Sequence, residues 1–287
     1  MTKIASLAAT TLASLLLALS PAQALSNRAW VSGHGTDAAG CGAPASPCRT
    51  FQYVHDNIVA AGGEIDVLDP GGYGPIVITK ALSIVNDGVG AAGVQQSVSG
   101  QDAILINAGN NDQVFLKGLE IEGLGTGKSG VELDAGGSLT MINCTVKSFN
   151  SDGIFVAPTV NVIVSISNTV LLGNGGAGLH IYPQGSAIVQ GTISYIEAKN
   201  NFYGIELDGS NSTSVGNVLA ANDVNASNNY TGFYATGYPS GNVTLTLTRS
   251  IGMGNGYSGA YVGTNAVIGS FGDNRFWAIR SSIFTEL

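Results

Sequence analysis

The amino-acid sequence predicts an all-β fold, a single-stranded right-handed parallel β-helix of about seven recognisable coils with an N-terminal cap helix. Three observations support this prediction. A short glycine-led motif recurs at nearly constant spacing, a second apolar register recurs beside it, and apolar residues alternate with small polar ones. Only 10% of the residues are charged, while 41 of the 287 are glycine, which suits a solenoid with tight turns.

The recurring motif is a glycine followed by an apolar, any, and an apolar residue. Successive copies are 23 to 28 residues apart, which is too short for a propeller blade and lacks the leucine spacing of leucine-rich repeats. One β-helix coil has this length, and equivalent positions then stack about 4.8 Å apart. The copies begin at Gly130, Gly153, Gly178, Gly204, Gly232 and Gly259, with a weaker one at Ala103.

A second register contains apolar residues at steps of 24 to 28, from Ile121 to Ile251. An asparagine follows four residues after each of its last five members. We predict that these asparagines form a ladder at an inward-facing turn, where each amide donates to one neighbouring coil and accepts from the other. The predicted ladder is Asn150, Asn174, Asn200, Asn228 and Asn255.

The first 24 residues have the pattern of an export signal. Lys3 precedes an uncharged apolar run, and a small-x-small pattern ends at Ala24. A membrane anchor is the alternative, but the run is short and no basic cluster follows it. We therefore expect cleavage after Ala24, no membrane span thereafter, and export to the periplasm, cell surface or extracellular space. Residues 25–62 are predicted to form an N-terminal segment with its cap, 63–265 the β-helix, and 266–287 a C-terminal cap or tail.

Residues 49–61 are predicted to form the cap helix. Phe51, Val54 and Ile58 recur at helical spacing, and Thr50 is a suitable N-cap. Such a cap hides the open end of a solenoid, whose exposed edge would pair with other chains.

The cysteines agree with export. Cys41 and Cys48 flank a short loop, and we predict a disulfide between them. Cys144 is then unpaired, and we expect it to be a small buried residue.

The net charge of −8 argues against nucleic acid or an anionic membrane as a partner. It also argues against a polyanionic sugar held without a bridging cation. We expect a monomer.

Several segments resemble the pectin lyase-like superfamily. These are the repeated unit Asn-x-Val-x-x-x-Asn followed by Gly-Ile-x-Leu, and the upstream segments Trp30-Val31-Ser32-Gly33 and Pro47-Cys48-Arg49-Thr50-Phe51. The resemblance covers residues from about 29 to about 265 and implies the right-handed parallel β-helix. It implies little about function, because that superfamily includes lyases, hydrolases, epimerases and noncatalytic surface proteins.

The third position of each motif copy is predicted to face outward, because side chains alternate along a strand. Stacking then makes an outward column of Leu105, Glu132, Phe155, His180, Glu206, Tyr234 and Tyr261. Two residues further along the strands stand Asp134, Ala157, Tyr182, Asp208, Thr236 and Gly263. Aromatic rings and carboxylates on one face suit a carbohydrate, since rings stack on sugars while carboxylates bind hydroxyls or move protons.

The candidate catalytic residues are the pairs Glu132/Asp134 and Glu206/Asp208, with His180 one coil from Glu206. Paired carboxylates on one strand face are compatible with glycoside hydrolysis. The alternative is a solvated sheet face on which Asp134 and Asp208 simply start turns. The candidate substrate-binding residues are Phe155, Tyr182, Tyr234 and Tyr261.

No cofactor or metal is predicted. Calcium would suit a metal-assisted lyase but is not indicated, because the outward column contains no lysine or arginine base. Four scattered lysines, Lys117, Lys128, Lys147 and Lys199, are predicted to be solubilising. The sequence thus predicts a secreted protein that binds or processes a polysaccharide, as a lyase, glycoside hydrolase or epimerase if it is an enzyme. The alternative is a noncatalytic envelope or surface protein with a structural or adhesive role.

Overall fold

The computed structural model describes residues 25–237, 241–281 and 284–286, and it shows the predicted parallel β-solenoid. Its named strands form a nine-stranded and a 17-stranded sheet. We call the nine-stranded sheet the front sheet. It consists of β4 (Ile76–Ile78), β7 (Ile104–Asn107), β10 (Val131–Ala135), β13 (Ile154–Val156), β15 (Ala177–Ile181), β17 (Tyr203–Asp208), β19 (Thr231–Thr236), β22 (Ser258–Val262) and β25 (Ile279–Ser281).

The 17-stranded sheet covers the other sides of the solenoid. It begins with β1 (Ser26–Val31), β2 (Val59–Val67), β3 (Gly71–Gly72), β5 (Leu82–Val85), β6 (Ala92–Gln95), β8 (Gln113–Lys117), β9 (Leu119–Glu122), β11 (Ser138–Ile142) and β12 (Thr145–Lys147). It continues with β14 (Val162–Leu172), β16 (Val189–Lys199), β18 (Asn217–Ser227), β20 (Val243–Thr248), β21 (Ile251–Gly252), β23 (Ala266–Ser270), β24 (Arg275–Phe276) and β26 (Phe284–Glu286).

Every copy of the glycine-led motif supplies a front-sheet strand, and the copies pair in register. Val131 pairs with Ile104 on one side and Ile154 on the other, and all three are fully buried. The leading glycine is required by close approach between coils. A Cβ atom on Gly204 would lie 2.5 Å from the carbonyl oxygen of Gly232, closer than a side-chain carbon can sit. The motif therefore encodes both the core column and the tight packing of successive coils.

The helix α1 (Phe51–Asn57) is shorter than predicted. Thr50 is its N-cap, and the Thr50 side chain accepts a hydrogen bond from the Tyr53 amide. Residues 59–61 are strand instead, because Val59 begins β2 and pairs with Ser26 of β1.

The asparagine ladder exists, but three of its five predicted members are wrong. Asn174 and Asn255 belong to it, whereas Asn150, Asn200 and Asn228 are exposed. Asn201 and Asn229 take two of the vacated places, and Phe149 takes the third. In the ladder, each main-chain N–H donates to the side-chain oxygen of the next coil. These bonds join Asn174 N to Asn201 Oδ1 (2.9 Å), Asn201 N to Asn229 Oδ1 (2.9 Å), and Asn229 N to Asn255 Oδ1 (2.8 Å).

A one-residue shift between coils explains this error. Ile196 pairs with Thr169 and not with Val170, so the two coils are out of step with the predicted register. Asn200 lies opposite Gly173, the residue before Asn174, and both have a left-handed φ (57° and 66°), so Asn201 and not Asn200 is the counterpart of Asn174.

Cys41 and Cys48 form the predicted disulfide, with their Cα atoms 5.0 Å apart. Cys144 is a buried free thiol, and burial raises its pKa to about 11. It is therefore a packing residue, as predicted.

At the C-terminal end, strand pairing continues through the segment assigned to a cap or tail. β24 pairs with β21, β25 with β22, and β26 with β23. The predicted export signal, 1–24, lies outside the described residues. Within the described ranges, no helix is long and apolar enough to cross a membrane.

Candidate functional site

The outward positions of the front sheet stack as predicted, one residue per coil. His180 pairs with Phe155 on one side and Glu206 on the other. We call this stack the front column. It extends one strand beyond each end of the predicted set and runs Val77, Leu105, Glu132, Phe155, His180, Glu206, Tyr234, Tyr261 and Arg280.

His180 lies at the centre of a group that we call the His180 centre, made of Asp152, His180, Glu206 and Asp208. The Nε2 atom of His180 is 3.8 Å from Glu206 Oε2, and its Nδ1 atom is 3.3 Å from Asp152 Oδ2. The other oxygen of Asp152 accepts a 2.6 Å hydrogen bond from the Ala177 amide. Two buried carboxylates thus flank one imidazole on opposite edges of its ring.

Burial changes the protonation of this centre. Glu206 is only 7% exposed although it faces outward, and the loss of solvation raises the pKa of Glu206 to about 7. Burial alone would lower the pKa of His180. The bond to Asp152 and the charges of the nearby carboxylates outweigh that effect, so the pKa of His180 is raised. Glu206 therefore changes charge near neutral pH, where general acids and bases work best, and His180 keeps its proton to a higher pH than an ordinary imidazole.

Asp208 lies on the same face as Glu206, and its carboxylate also accepts a hydrogen bond from the main chain. Its Oδ1 accepts a 2.7 Å hydrogen bond from the Ser210 amide, which is the turn-starting role that the sequence left as an alternative. A ring nitrogen of His180 and one carboxylate oxygen each of Glu206 and Asp208 nevertheless lie within 4.8 Å of one another.

This donor set does not fit calcium. Calcium takes six to eight oxygen ligands, whereas the His180 centre offers one imidazole nitrogen and two carboxylates on this face. One of those carboxylates is already engaged by the Ser210 amide. We assign no metal ligands here, and the arrangement is better suited to proton transfer.

The second predicted pair, Glu132 and Asp134, belongs to a differently charged group. Lys128 forms an ion pair with Glu132, and its Nζ atom is also 3.4 Å from Asp102 Oδ2. We call Asp102, Lys128 and Glu132 the Lys128 centre. Burial raises the pKa of Glu132 to about 7 against the opposing effect of Lys128, and burial also raises the pKa of Asp134.

The prediction that Lys128 is simply a solubilising residue is therefore wrong. Its side chain comes from the turn before β10 and places an ammonium beside the front column. The other three lysines also make ion pairs, Lys117 with Asp87, Lys147 with Glu120 and Lys199 with Glu197.

Sequence reasoning missed Asp102 and Asp152. The strand alternation rule did not reach them, because they lie in the turns that precede β7 and β13. A positional signal does exist, since each aspartate directly precedes the first residue of a motif copy, Ala103 or Gly153.

The predicted aromatic residues lie on both sides of Glu206. Phe155 stacks on Tyr182 with ring centres 6.0 Å apart, and it contacts the His180 ring at 5.0 Å. On the other side, Tyr234 stacks on Tyr261 at 5.2 Å.

The structure adds aromatic residues that the sequence analysis did not select. Tyr203 stacks on Tyr234 at 4.6 Å, and a second stack runs beside it. We call the two stacks the aromatic platform, which consists of Tyr203, Tyr234, Tyr261, Phe202, Tyr230 and Tyr257. Arg280 lies 4.4 Å above the Tyr257 ring and borders a groove of about 400 Å³ that Tyr234, Tyr257 and Tyr261 also line. The column as extended by β25 therefore ends in a cation, although the seven positions selected from the sequence contain no lysine or arginine.

Comparison with known proteins agrees with this architecture. The family model described as "Right handed beta helix region" matches residues 79–219. A solved structure, "Crystal structure of pectate lyase Pel9A", superposes with a TM-score of 0.64 at 14% identity, covering 92% of this chain and 79% of that one. No curated protein matches the sequence.

The chain is therefore a right-handed parallel β-helix protein. Its fold is similar to that of the solved pectate lyase, in agreement with the resemblance seen in the sequence. At 14% identity, the likeness to the solved lyase concerns the fold alone.

Proposed function

We propose that the protein binds a carbohydrate along the front column and cleaves it by proton transfer at the His180 centre. The observation that carries this proposal is the buried Glu206 carboxyl group, 3.8 Å from an imidazole and flanked by aromatic rings on both sides. A carboxyl group whose pKa is near 7 can donate a proton to a leaving oxygen at neutral pH.

Glycoside hydrolysis is the reaction that the carboxylate arrangement supports best. Retaining glycosidases hold their two carboxyl groups about 5–5.5 Å apart, and inverting enzymes hold them further apart to admit a water. Oxygens of Glu206 and Asp208 lie within 4.8 Å, which favours the retaining arrangement. Glu206 would then be the acid and Asp208 the nucleophile.

The charges of the front sheet favour a neutral saccharide. Six carboxylates, Asp102, Glu132, Asp134, Asp152, Glu206 and Asp208, stand against two cations, Lys128 and Arg280, and Lys128 is already paired. A polyanion would be repelled along most of the column. Aromatic stacking and hydrogen bonds to hydroxyls are what this surface offers.

A noncatalytic surface protein remains the second candidate. The hydrogen bond between Asp208 and the Ser210 amide favours it, because that bond gives Asp208 a structural role without chemistry. In that case the aromatic platform would bind saccharide and the His180 centre would not react.

We also propose that the protein is exported and acts as a monomer. The disulfide between Cys41 and Cys48 supports export, because such bonds persist in oxidising compartments. The pattern of the first 24 residues points the same way.

The test is incubation of the protein with a panel of neutral polysaccharides, measuring binding and the release of reducing ends. Glu206→Gln should lower turnover by about 10²- to 10⁴-fold while leaving binding intact, since it removes only the transferable proton. Tyr234→Ala should weaken binding. Glu197→Gln, an exposed change on the 17-stranded sheet, is the matched control and should alter neither. Binding without turnover would establish the noncatalytic candidate, and the absence of both would refute the carbohydrate proposal.

A further inference from the structure

We propose that Asp152 is a positioning residue that fixes the tautomer of His180, so that His180 Nε2 faces Glu206 and the two side chains share one proton. The inference deepens the proposed function and rests on it only for the consequence in catalysis. The tautomer itself is a property of the protein without ligand.

Asp152 is held in place by hydrogen bonds from its surroundings. Its Oδ1 accepts a 2.6 Å hydrogen bond from the Ala177 amide, and the Ser151 hydroxyl donates to its Oδ2 at 3.4 Å. Gly176 leaves room for this carboxylate, because a Cβ there would lie 2.3 Å from Asp152 Oδ1. The side chain is 11% exposed, so its orientation is set by the protein and not by solvent.

The bond between Asp152 and His180 has a defined direction. An ionised carboxylate can only accept hydrogen bonds, so the proton of neutral His180 belongs on Nδ1, which faces Asp152 Oδ2 at 3.3 Å. Nε2 then carries a lone pair and no proton. This atom is buried and has no hydrogen-bond partner among the described residues.

Across from Nε2 lies a buried carboxyl group. The nearest ionisable group is Glu206, whose Oε2 is 3.8 Å away and too far for a formed hydrogen bond. One proton can occupy this gap in two ways, on the Glu206 carboxyl group or on the imidazole. Catalytic hydrogen bonds are often long in ligand-free structures and shorten when substrate is bound.

The surroundings of His180 favour this shared proton. The acidic groups around it are Asp152 from the preceding turn and Glu206 and Asp208 from β17. Tyr182 on its own strand contacts its ring, as does Phe155. Tyr203 and Tyr234 lie beyond Glu206, and burial together with the Glu206 charge raises the pKa of both. None of the lysines and arginines in the described ranges forms an ion pair with this group.

The Lys128 centre is built in the same way and shows what is special about His180. Asp102 Oδ1 accepts a 3.1 Å hydrogen bond from the Ser129 amide, just as Asp152 accepts one from Ala177. In both centres the other aspartate oxygen faces a nitrogen of a basic side chain that in turn faces a buried glutamate. Lysine is a permanent donor near neutral pH, whereas histidine exchanges its proton there. Asp102 therefore provides a matched control for Asp152.

The experiment is nitrogen NMR of the imidazole rings in ¹⁵N-histidine-labelled protein across the neutral pH range. The chain has three histidines, so His180→Gln assigns the resonances of His180. We expect the neutral ring of the wild type to carry its proton on Nδ1. In Asp152→Asn the Nε2–H form should increase and the pKa of His180 should fall, because the neutral amide no longer stabilises the imidazolium. Asp102→Asn should leave both properties unchanged.

Two results would overturn the proposal. One is a wild-type His180 that is protonated on Nε2 when neutral, which needs no variant to fold. The other is an Asp152→Asn protein, shown to be folded by circular dichroism, whose His180 tautomer and titration equal those of the wild type. The Asn side chain can still accept the Ala177 amide bond, so folding should persist.

The catalytic consequence has its own readout. With a saccharide that the wild type cleaves, Asp152→Asn should lower kcat about tenfold or more at unchanged KM and move the pH–rate profile to lower pH. An unchanged kcat and profile would refute the role of Asp152 in catalysis. If the wild type cleaves nothing, the proposed reaction fails while the NMR result still decides the tautomer.

Discussion

At the scale of single residues, the two glutamates of the front column show how neighbours decide chemistry. Glu132 and Glu206 stand in nearly identical Gly-apolar-Glu-Leu-Asp segments, and both are less than 10% exposed. Glu132 faces a lysine and Glu206 faces a histidine. Burial raises the pKa of both glutamates to about 7, but histidine is a partner that can itself exchange a proton near neutral pH whereas lysine is not, so the same local sequence serves two different electrostatic roles.

The raised pKa of Glu206 predicts a pH dependence of stability. The pKa of Glu206 is about 7 in the folded protein and near 4.5 when solvated, so the folded state binds more protons between these values. Its contribution to stability is therefore present at low pH and lost as the pH rises from about 4.5 to about 7. The raised pKa of His180 acts in the same direction.

We expect the wild type to be less stable at about pH 8 than at about pH 5 in urea unfolding. Glu206→Gln should remove a share of that loss, at most about 3 kcal/mol. Glu197→Gln should retain the full loss. An identical decline in Glu206→Gln and wild type would show that Glu206 is not desolvated as described.

At the scale of elements, the asparagine ladder shows how corners control register. Its inward members follow a residue in the left-handed conformation, such as Gly173 before Asn174 or Asn200 before Asn201. Each ladder side chain accepts from the main chain of the coil before it. The corner therefore decides which of two adjacent asparagines enters the core.

The ladder predicts that substitutions at two neighbouring positions change the unfolding free energy by very different amounts. Asn201→Ala removes the acceptor of the buried Asn174 amide and the donor to the Leu171 carbonyl, which should cost about 2–4 kcal/mol of unfolding free energy. Asn200→Gly removes an exposed side chain at a positive φ that glycine adopts freely, so its effect should stay within about 0.5 kcal/mol. Denaturant unfolding of both variants checks this. Equal losses of unfolding free energy in the two variants would show that Asn200 contributes to the ladder as Asn201 does.

At the scale of the whole molecule, charge and shape together select the class of ligand. The net charge is −8, and the front column concentrates carboxylates at its centre with Arg280 at its C-terminal end. The aromatic platform covers the coils that lie between Glu206 and Arg280. An extended, neutral chain lying along the solenoid axis would contact the platform and the His180 centre together.

A neutral ligand predicts weak dependence on salt. Raising the ionic strength from about 0.05 to about 0.5 M should change the affinity for a neutral polysaccharide by less than about threefold, because screening acts on charge pairs. Titration of binding at both salt concentrations tests this. A large loss of affinity at high salt would instead indicate an anionic ligand on Arg280 or Lys128.

The sequence by itself determined the solenoid, the length of its coils, the disulfide, and the order of the front column with His180 beside Glu206. It could do so because parallel in-register pairing turns a period along the chain into contact between coils. Tertiary structure alone decided the partners of that column, namely Asp152, Asp102, Lys128 and the aromatic platform, and it corrected the ladder. Asp102, Lys128, Asp152 and the second aromatic stack lie in turns and corners, where strand alternation no longer sets the direction of a side chain and a left-handed residue decides which neighbour turns inward.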